Sequence, residues 1–317
     1  MRTAARLTFR LYRFELIVIV VYALLLAALA LVVTARLNAI NPGADCLKAW
    51  LTQGPPASPG CDSAIDFFAR NEAEAGRVMA AMWLLPLVAG VVTGSVLVAR
   101  EIEHRTTQFA WSVGTSRRRW YLDRLLPVTI VAIGVVTLAA IAAELLEAAR
   151  MPWMDAVASA ADYGLRGPVV IALAFAALGV SVLVSSMVGR MLPALLIAAV
   201  LAVALRAVVS SQLPLGEPMS ALNQDVMTAG FEYPLVLEQA WRTDDGRILT
   251  TDEAIASLAS VSGDPYTQLY EKYGPETLGV PARDVWRVEL RQSAVFLLVG
   301  LGTLVAAGYV VARRRPY

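Results

Sequence analysis

The densest group of reactive side chains lies in residues 100–120, which read REIEHRTTQFAWSVGTSRRRW. Glu101 and Arg105 stand four residues apart with the acid first, the favourable order for a helical ion pair. Arg100 and Glu103 stand three apart. Thr106 and Thr107 follow, and then Phe109, Trp111 and Val113 put apolar surface on an otherwise charged segment, a pattern that marks protein contacts. Arg117, Arg118 and Arg119, followed by Trp120 and Tyr121, make a headgroup anchor with an aromatic belt. The chemistry on offer is recognition rather than turnover. By residue type alone the segment is either a docking element or an ordinary loop whose arginines set topology.

Other chemistries lack their residues. No GxxxxGK[ST] loop is present to cradle phosphates, and the only lysines are Lys48 and Lys272. The single histidine, His104, is followed by Arg105, so there is no HExxH zinc motif. Two cysteines and one histidine exclude a Cys/His metal cluster, and no metal site is expected. No carboxylate pair falls in the middle of an apolar run. Glu144, Glu147 and Arg206 fall near the ends of such runs, where snorkelling makes them solvated helix ends. The chain is therefore expected to be neither an enzyme nor the holder of a cofactor. A net charge of +1 gives no argument for nucleic acid.

The elements that must position the charged segment are long and apolar. The chain has 317 residues, 57% hydrophobic and only 17% charged, against about 25% charged in soluble domains. Residues 16–33, 78–99, 125–143, 167–189, 191–213 and 293–312 each approach or exceed the ~18 residues of a spanning helix, the fifth interrupted only by Arg206. This predicts an all-α integral membrane protein with six transmembrane helices. The short alternating segments of a β-barrel are missing. The first run exceeds the ~7–15-residue core of a cleaved signal and is expected to be retained.

Arginine placement orients the spans. Arg2, Arg6, Arg10 and Arg13 precede the first, the 100–124 arginines separate the second from the third, Arg190 separates the fourth from the fifth, and Arg313, Arg314 and Arg315 follow the sixth. Six crossings put all of these on one side, which the positive-inside rule makes cytoplasmic, both termini included. Residues 1–15 carry arginines at helical spacing beside Leu7, Leu11 and Phe14. They read as an amphipathic helix on the cytoplasmic membrane surface, or as a plain topology signal. Residues 16–213 then hold spans one to five.

Most acids fall on the other side. Cys46 and Cys61 share the outside loop there, flanking a Pro/Gly-rich turn, which makes a disulfide plausible; free thiols are the alternative. Residues 214–291 read as a small extracytoplasmic domain, α-rich with one hairpin at Asp244–Asp245–Gly246 and a helix starting near Thr251. Its aromatics, among them Trp241, Tyr270, Tyr273 and Trp286, serve packing or a ligand. Residues 292–317 hold the sixth span and a basic cytoplasmic tail.

The segment VAREIEHRTTQFAWSVGTSRRRW, the six spans, the cytoplasmic termini and the large element between spans five and six resemble type-2 ABC exporter permeases. VPARDVWRVELRQSAVF, leading into the last span, looks like the actinobacterial form. The resemblance implies that Glu101, Glu103, Arg105, Thr106 and Thr107 face a separate ABC ATPase subunit in the cytoplasm. ATP and Mg would be bound on that subunit. It further implies a multi-pass chain of the cell membrane that pairs with a second copy or a related permease and exports an amphipathic molecule. Gly90, Gly94, Gly134, Gly179, Pro127 and Pro193 would then serve close packing and bends. The exterior domain is larger than the short re-entrant helices common in that family. It keeps open a non-transporting, ATP-coupled sensor as the alternative, while a membrane-embedded enzyme has no catalytic groups to stand on.

Overall fold

The computed structural model describes residues 10–53, 61–104, 116–154, 159–222, 233–243, 245–258, 269–270 and 272–313. Six helices are long and apolar enough to cross a membrane: α1 (Arg13–Ile40), α3 (Ser63–Glu103), α4 (Arg117–Arg150), α5 (Gly167–Val188), α6 (Met191–Ser211) and α8 (Ala282–Arg313). Each matches one of the apolar runs. A short helix, α2 (Ala44–Gln53), follows α1.

The helix ends follow local chemistry. Ser116 caps α4, its hydroxyl accepting from the Arg119 amide. Gly189 ends α5 in the left-handed conformation, φ 69°, a backbone state that glycine adopts without strain. Only Gly189 and Arg190 separate α5 from α6, so the two run antiparallel. The helix α3 is interrupted twice, by a π-turn at Asn71–Ala75 and by a turn at Trp83 and Leu84 before Pro86. The helix of α1 starts at Arg13, after a break at Tyr12. The expected surface helix over residues 1–15 therefore ends earlier than expected, and residues 1–9 of it lie outside the described residues.

The bundle is built around α5, whose most apolar stretch is 83% buried, against 22% for α6 and 28% for α8. On one side α5 meets α3. A Cβ on Gly90 would lie 2.6 Å from the Ala174 carbonyl oxygen, and one on Gly94 would lie 2.7 Å from that of Leu178. Ser181 and Ser185 of α5 donate to the carbonyls of Gly90 (3.2 Å) and Ser95 (3.3 Å). On the other side α5 meets α8, where a Cβ on Gly179 would lie 2.6 Å from the Gly300 carbonyl oxygen. Small residues are what let spanning helices approach this closely. Gly134, expected to serve the same purpose, has open space beside it.

Beyond α1, Cys46 and Cys61 form a disulfide with Cα atoms 5.5 Å apart, tying α2 to the start of α3. On the same elements Trp50 stacks on Phe68, centroids 6.1 Å apart, and Trp153 meets Phe68 at a tilt, 5.9 Å.

Between α6 and α8 the all-α expectation fails. The chain there forms a four-stranded antiparallel sheet of order β1-β4-β2-β3, from β1 (Ser220–Ala221), β2 (Leu235–Arg242), β3 (Ile248–Thr250) and β4 (Gly274–Val280). The anticipated hairpin is β2–β3, paired from Ala240↔Thr250 to Arg242↔Ile248. The helix expected near Thr251 is α7 (Thr251–Ser257), opened by a capping box between Thr250 and Glu253. The unforeseen strand is β4, GPETLGV, which has two glycines and a proline and no apolar alternation. It pairs with β2 from Leu235↔Val280 to Arg242↔Gly274. Trp241, Ala254, Leu258, Leu269 and Tyr273 fill the core beneath the sheet. The last helix begins at Ala282, ten residues before the sixth span was expected to open.

Two stability outcomes follow from the packing. Gly94→Leu forces α3 and α5 apart and should lower stability by about 1–3 kcal/mol, read as a lower thermal midpoint in detergent. Gly134→Ala, beside open space, should leave the midpoint unchanged or raise it. Replacing Cys46 and Cys61 together by alanine should cost about 3 kcal/mol, the loop-closure value for a ring of this size, with no effect on membrane insertion.

Candidate functional site

The two ends of the charged segment are held by one buried cluster. Glu101, in the last turn of α3, is 8% exposed. The Tyr12 hydroxyl donates to Glu101 Oε1 at 2.6 Å, and Arg124 Nε, two turns into α4, lies 3.2 Å from the same oxygen. The Tyr12 hydroxyl also lies 3.0 Å from the Leu97 carbonyl oxygen. Burial, and then the Glu101 carboxylate, push the Tyr12 phenol well above its ordinary value, so it remains a proton donor. One carboxylate thus joins the start of α1, the end of α3 and the start of α4.

Further contacts tie down the same end of the bundle. Arg100 Nη1 pairs with Glu15 Oε1 of α1 at 2.6 Å. Glu103 Oε2 accepts from the Met191 amide at 2.8 Å, placing a carboxylate on the N-terminus of α6, where the helix dipole favours it. Arg117 donates to the Ala312 carbonyl at the close of α8, 3.0 Å. Tyr121 donates to the Leu304 carbonyl, 2.9 Å. Leu11, Tyr12, Arg100, Glu101 and His104 line a hollow of about 210 Å³ beneath.

Of the residues expected to meet a partner, Glu101 turns inward and serves the cluster, because Arg124 and Tyr12 give it a better site than solvent. Glu103 reaches α6. Arg105, Thr106, Thr107, Phe109 and Trp111 lie outside the described residues. Tyr12, Glu15 and Arg124 were missed. Their signal was the scarcity of acids here: among arginines at every boundary, Glu15, Glu101, Glu103 and Asp123 are few enough that each has a cation or helix end to meet.

The opposite end holds a second polar cluster that was read as solvated. Glu147 is fully buried. Arg150 pairs with it at 3.0 Å, with Asp162, and donates to Asn71 Oδ1 at 2.9 Å. The π-turn in α3 carries Asn71, which donates in return to the Arg150 carbonyl, 3.1 Å. Arg166, 3% exposed, pairs with Glu144 at 2.8 Å. Tyr163 donates to Gln292 of α8, 2.7 Å, its phenol pushed up by burial and then by Glu289. Arg206 lies over the Trp83 ring, 4.5 Å from its centroid. Snorkelling fails as a description of Glu147, which is fully buried against Arg150, whereas Glu144 keeps more than a third of its side chain exposed.

Among the described residues, six helices long and apolar enough to span a membrane, with polar clusters at their two ends, describe a membrane chain. The family described as ABC-2 membrane transporter related matches residues 16–213, from α1 through α6. The chain belongs to that family. No curated protein and no solved structure matches it. As an ABC-2 related chain it is a multi-pass membrane protein of the transporter-permease type, a type that works with an ATPase subunit. The sheet and α8 lie beyond the matched residues.

The ABC-2 chain should depend on its buried pair. Glu101→Gln leaves Arg124 without this carboxylate and should destabilise by about 3 kcal/mol. Tyr12→Phe should cost about 1 kcal/mol. Glu101→Leu combined with Arg124→Met should recover much of the loss, since an apolar pair needs no compensating charge. Thermal midpoints of the three variants in detergent check this; a non-additive double variant is the expected signature.

Proposed function

We propose that this chain is the permease subunit of an ATP-driven exporter that moves an amphipathic molecule out of the cell. The arginine-rich end faces the cytoplasm, as the positive-inside rule directs. The sheet and the Cys46–Cys61 bridge then face outward, where disulfides persist. ATP and Mg are bound on a separate cytoplasmic ATPase, and two permease chains, identical or related, complete the pathway.

One observation carries the coupling step. The helices on either side of residues 105–115, α3 and α4, are joined by a buried carboxylate, Glu101, which also holds the start of α1 through Tyr12. A push on that segment from an ATPase is delivered at the joint of three helices. The roles given to Arg105, Thr106, Thr107, Phe109 and Trp111 are contacts with that ATPase. Glu101 works one layer behind them, passing the movement to α1 and α4.

The sheet favours a second reading. It lies outside the family match, it has a core cluster around Trp241 besides the one it shares with α8, and Tyr270 is exposed beside Trp241, 5.0 Å between centroids. An ATP-coupled sensor that handles a partner through this domain fits those facts. Substrate flux in proteoliposomes separates the two, since a sensor moves nothing.

The coupling outcome is specific. With the partner ATPase co-expressed, Arg105→Ala should weaken assembly or substrate-stimulated hydrolysis by tenfold or so, the loss of roughly 1.4 kcal/mol of interface contact, while the thermal midpoint stays unchanged. Glu101→Gln should assemble yet transport less per ATP hydrolysed. Wild-type assembly, flux and hydrolysis in both variants would remove the docking assignment.

A further inference from the structure

A cleft of about 530 Å³ runs between α4 and α8 on the outer face of the bundle. Its floor is Phe175 of α5, and its walls include Leu122 and Leu126 of α4 and Leu301 and Val305 of α8. Tyr121 forms a fixed part of the wall, since its hydroxyl is held on the Leu304 carbonyl at 2.9 Å. Opposite it, Gly308 keeps the cleft open: a Cβ there would already lie 3.3 Å from Tyr121 Cε1. The rim is apolar and exposed, Val305 at 67% and Leu301 at 56%.

The cleft has a polarity along its length. At the arginine-rich end it is bounded by Arg118, Tyr309 and Ala312. Arg118 makes no ion pair among the described residues, and the Arg313 guanidinium stacks over the Tyr309 ring, 4.2 Å from its centroid. No carboxylate lines it, and the nearest acid on α4, Asp123, faces Arg119. At the other end stand Thr129 and Leu301. Arg118 to Thr129 is eleven residues of helix, about 17 Å at 1.5 Å per residue. Half of a ~30 Å hydrocarbon core is about 15 Å. The cleft therefore runs from headgroup level to the bilayer midplane, the depth of one leaflet.

We propose that this cleft is a binding site for an anionic membrane phospholipid, with one acyl chain along α4 and α8 and its phosphate between Arg118 and Arg313. Length, apolar lining and positive charge at one end, with no acid lining the cleft among the described residues, together select a lipid of the leaflet at the arginine-rich end. Basic pockets between spanning helices hold anionic headgroups in this way. A second copy of the chain is the competing occupant, and it would show as cross-links between two chains at the rim. The site requires only that the chain is embedded in a membrane, and stands whether or not the transport reading does.

The test uses the full chain in phosphatidylcholine vesicles containing either phosphatidylglycerol or phosphatidylcholine with a photoreactive diazirine on the acyl chain. Cross-linked peptides are mapped by mass spectrometry. Phosphatidylglycerol should label the peptides holding Leu126 and Val305 in preference to phosphatidylcholine. Arg118→Gln should reduce that preference by about fivefold, the share of one arginine near the surface, while Arg118→Lys retains it. Val305→Trp, at an exposed rim position, should fill the cleft and abolish labelling there by both lipids without changing the thermal midpoint. Equal labelling by the two lipids, a preference unchanged in Arg118→Gln, no labelling at the cleft, or cross-links between two chains through Val305 would each overturn the proposal.

Discussion

In lipid, apolar side chains gain nothing by leaving solvent for one another, so a bundle of spanning helices is held by close packing and by polar contacts. Here that constraint falls on α5. Its two most closely packed neighbours, α3 and α8, approach it at Gly90, Gly94 and Gly179 until carbonyl groups occupy the space where Cβ atoms would stand, and at Gly300 the Phe175 ring takes that space. Ser181 and Ser185 then bond directly to the α3 backbone. The helices α4 and α6 lie against this three-helix wall, and α1 packs chiefly on α4. The helices α1, α4 and α6 each bury one face only.

Because the outer helices lack glycine contacts of that kind, charges do the fastening. The longest of them, α4, is pinned near both ends. Arg124 meets Glu101 at the arginine-rich end, and Arg150 meets Asn71 and Asp162 at the other. Both pins reach α3. Between them α4 stands off from α8 far enough to leave the cleft floored by Phe175. Buried ion pairs add little net stability, but breaking one is costly. Their effect here is to fix which faces meet, where apolar packing alone would let α4 rotate.

The spans were legible because a membrane demands apolar length, and no other residue property was needed to find six of them. The helix ends and the segment between α6 and α8 were less legible, for reasons that differ by residue. Glu101 has an ideal helical partner at Arg105, and local spacing says nothing of Arg124, which reaches it only once two helices are packed. Glu147 sits near a helix end and so resembles any snorkelling acid; its partner Arg150 is held in turn by Asn71, on a π-turn that leaves no mark in the sequence. The strand β4 has polar residues, a proline and two glycines, and becomes a strand because β2, with a stronger pattern, offers it a ladder. The Cys46–Cys61 bridge was visible because only two cysteines exist and both fall in one turn-rich loop.

The double pinning of α4 bears on how a push at its base would travel. A 34-residue helix spans about 51 Å, so a rigid tilt at Arg117 would drag Arg150 away from Asn71, Glu147 and Asp162. That far cluster is buried, and separating its charges costs more than bending a helix that already lacks one backbone bond. Pro127 removes that bond, and it lies between the two pins, on the stretch of α4 that runs beside the cleft. On the coupling reading, movement of the 105–115 segment is therefore taken up as a bend near Pro127. The bend would widen or narrow the gap between α4 and α8 while the outer end stays fixed. On that reading the helix that would receive the push and the helix that borders the cleft are one element, so an ATPase docked at the base would have a direct mechanical route to the lipid-facing side of the bundle.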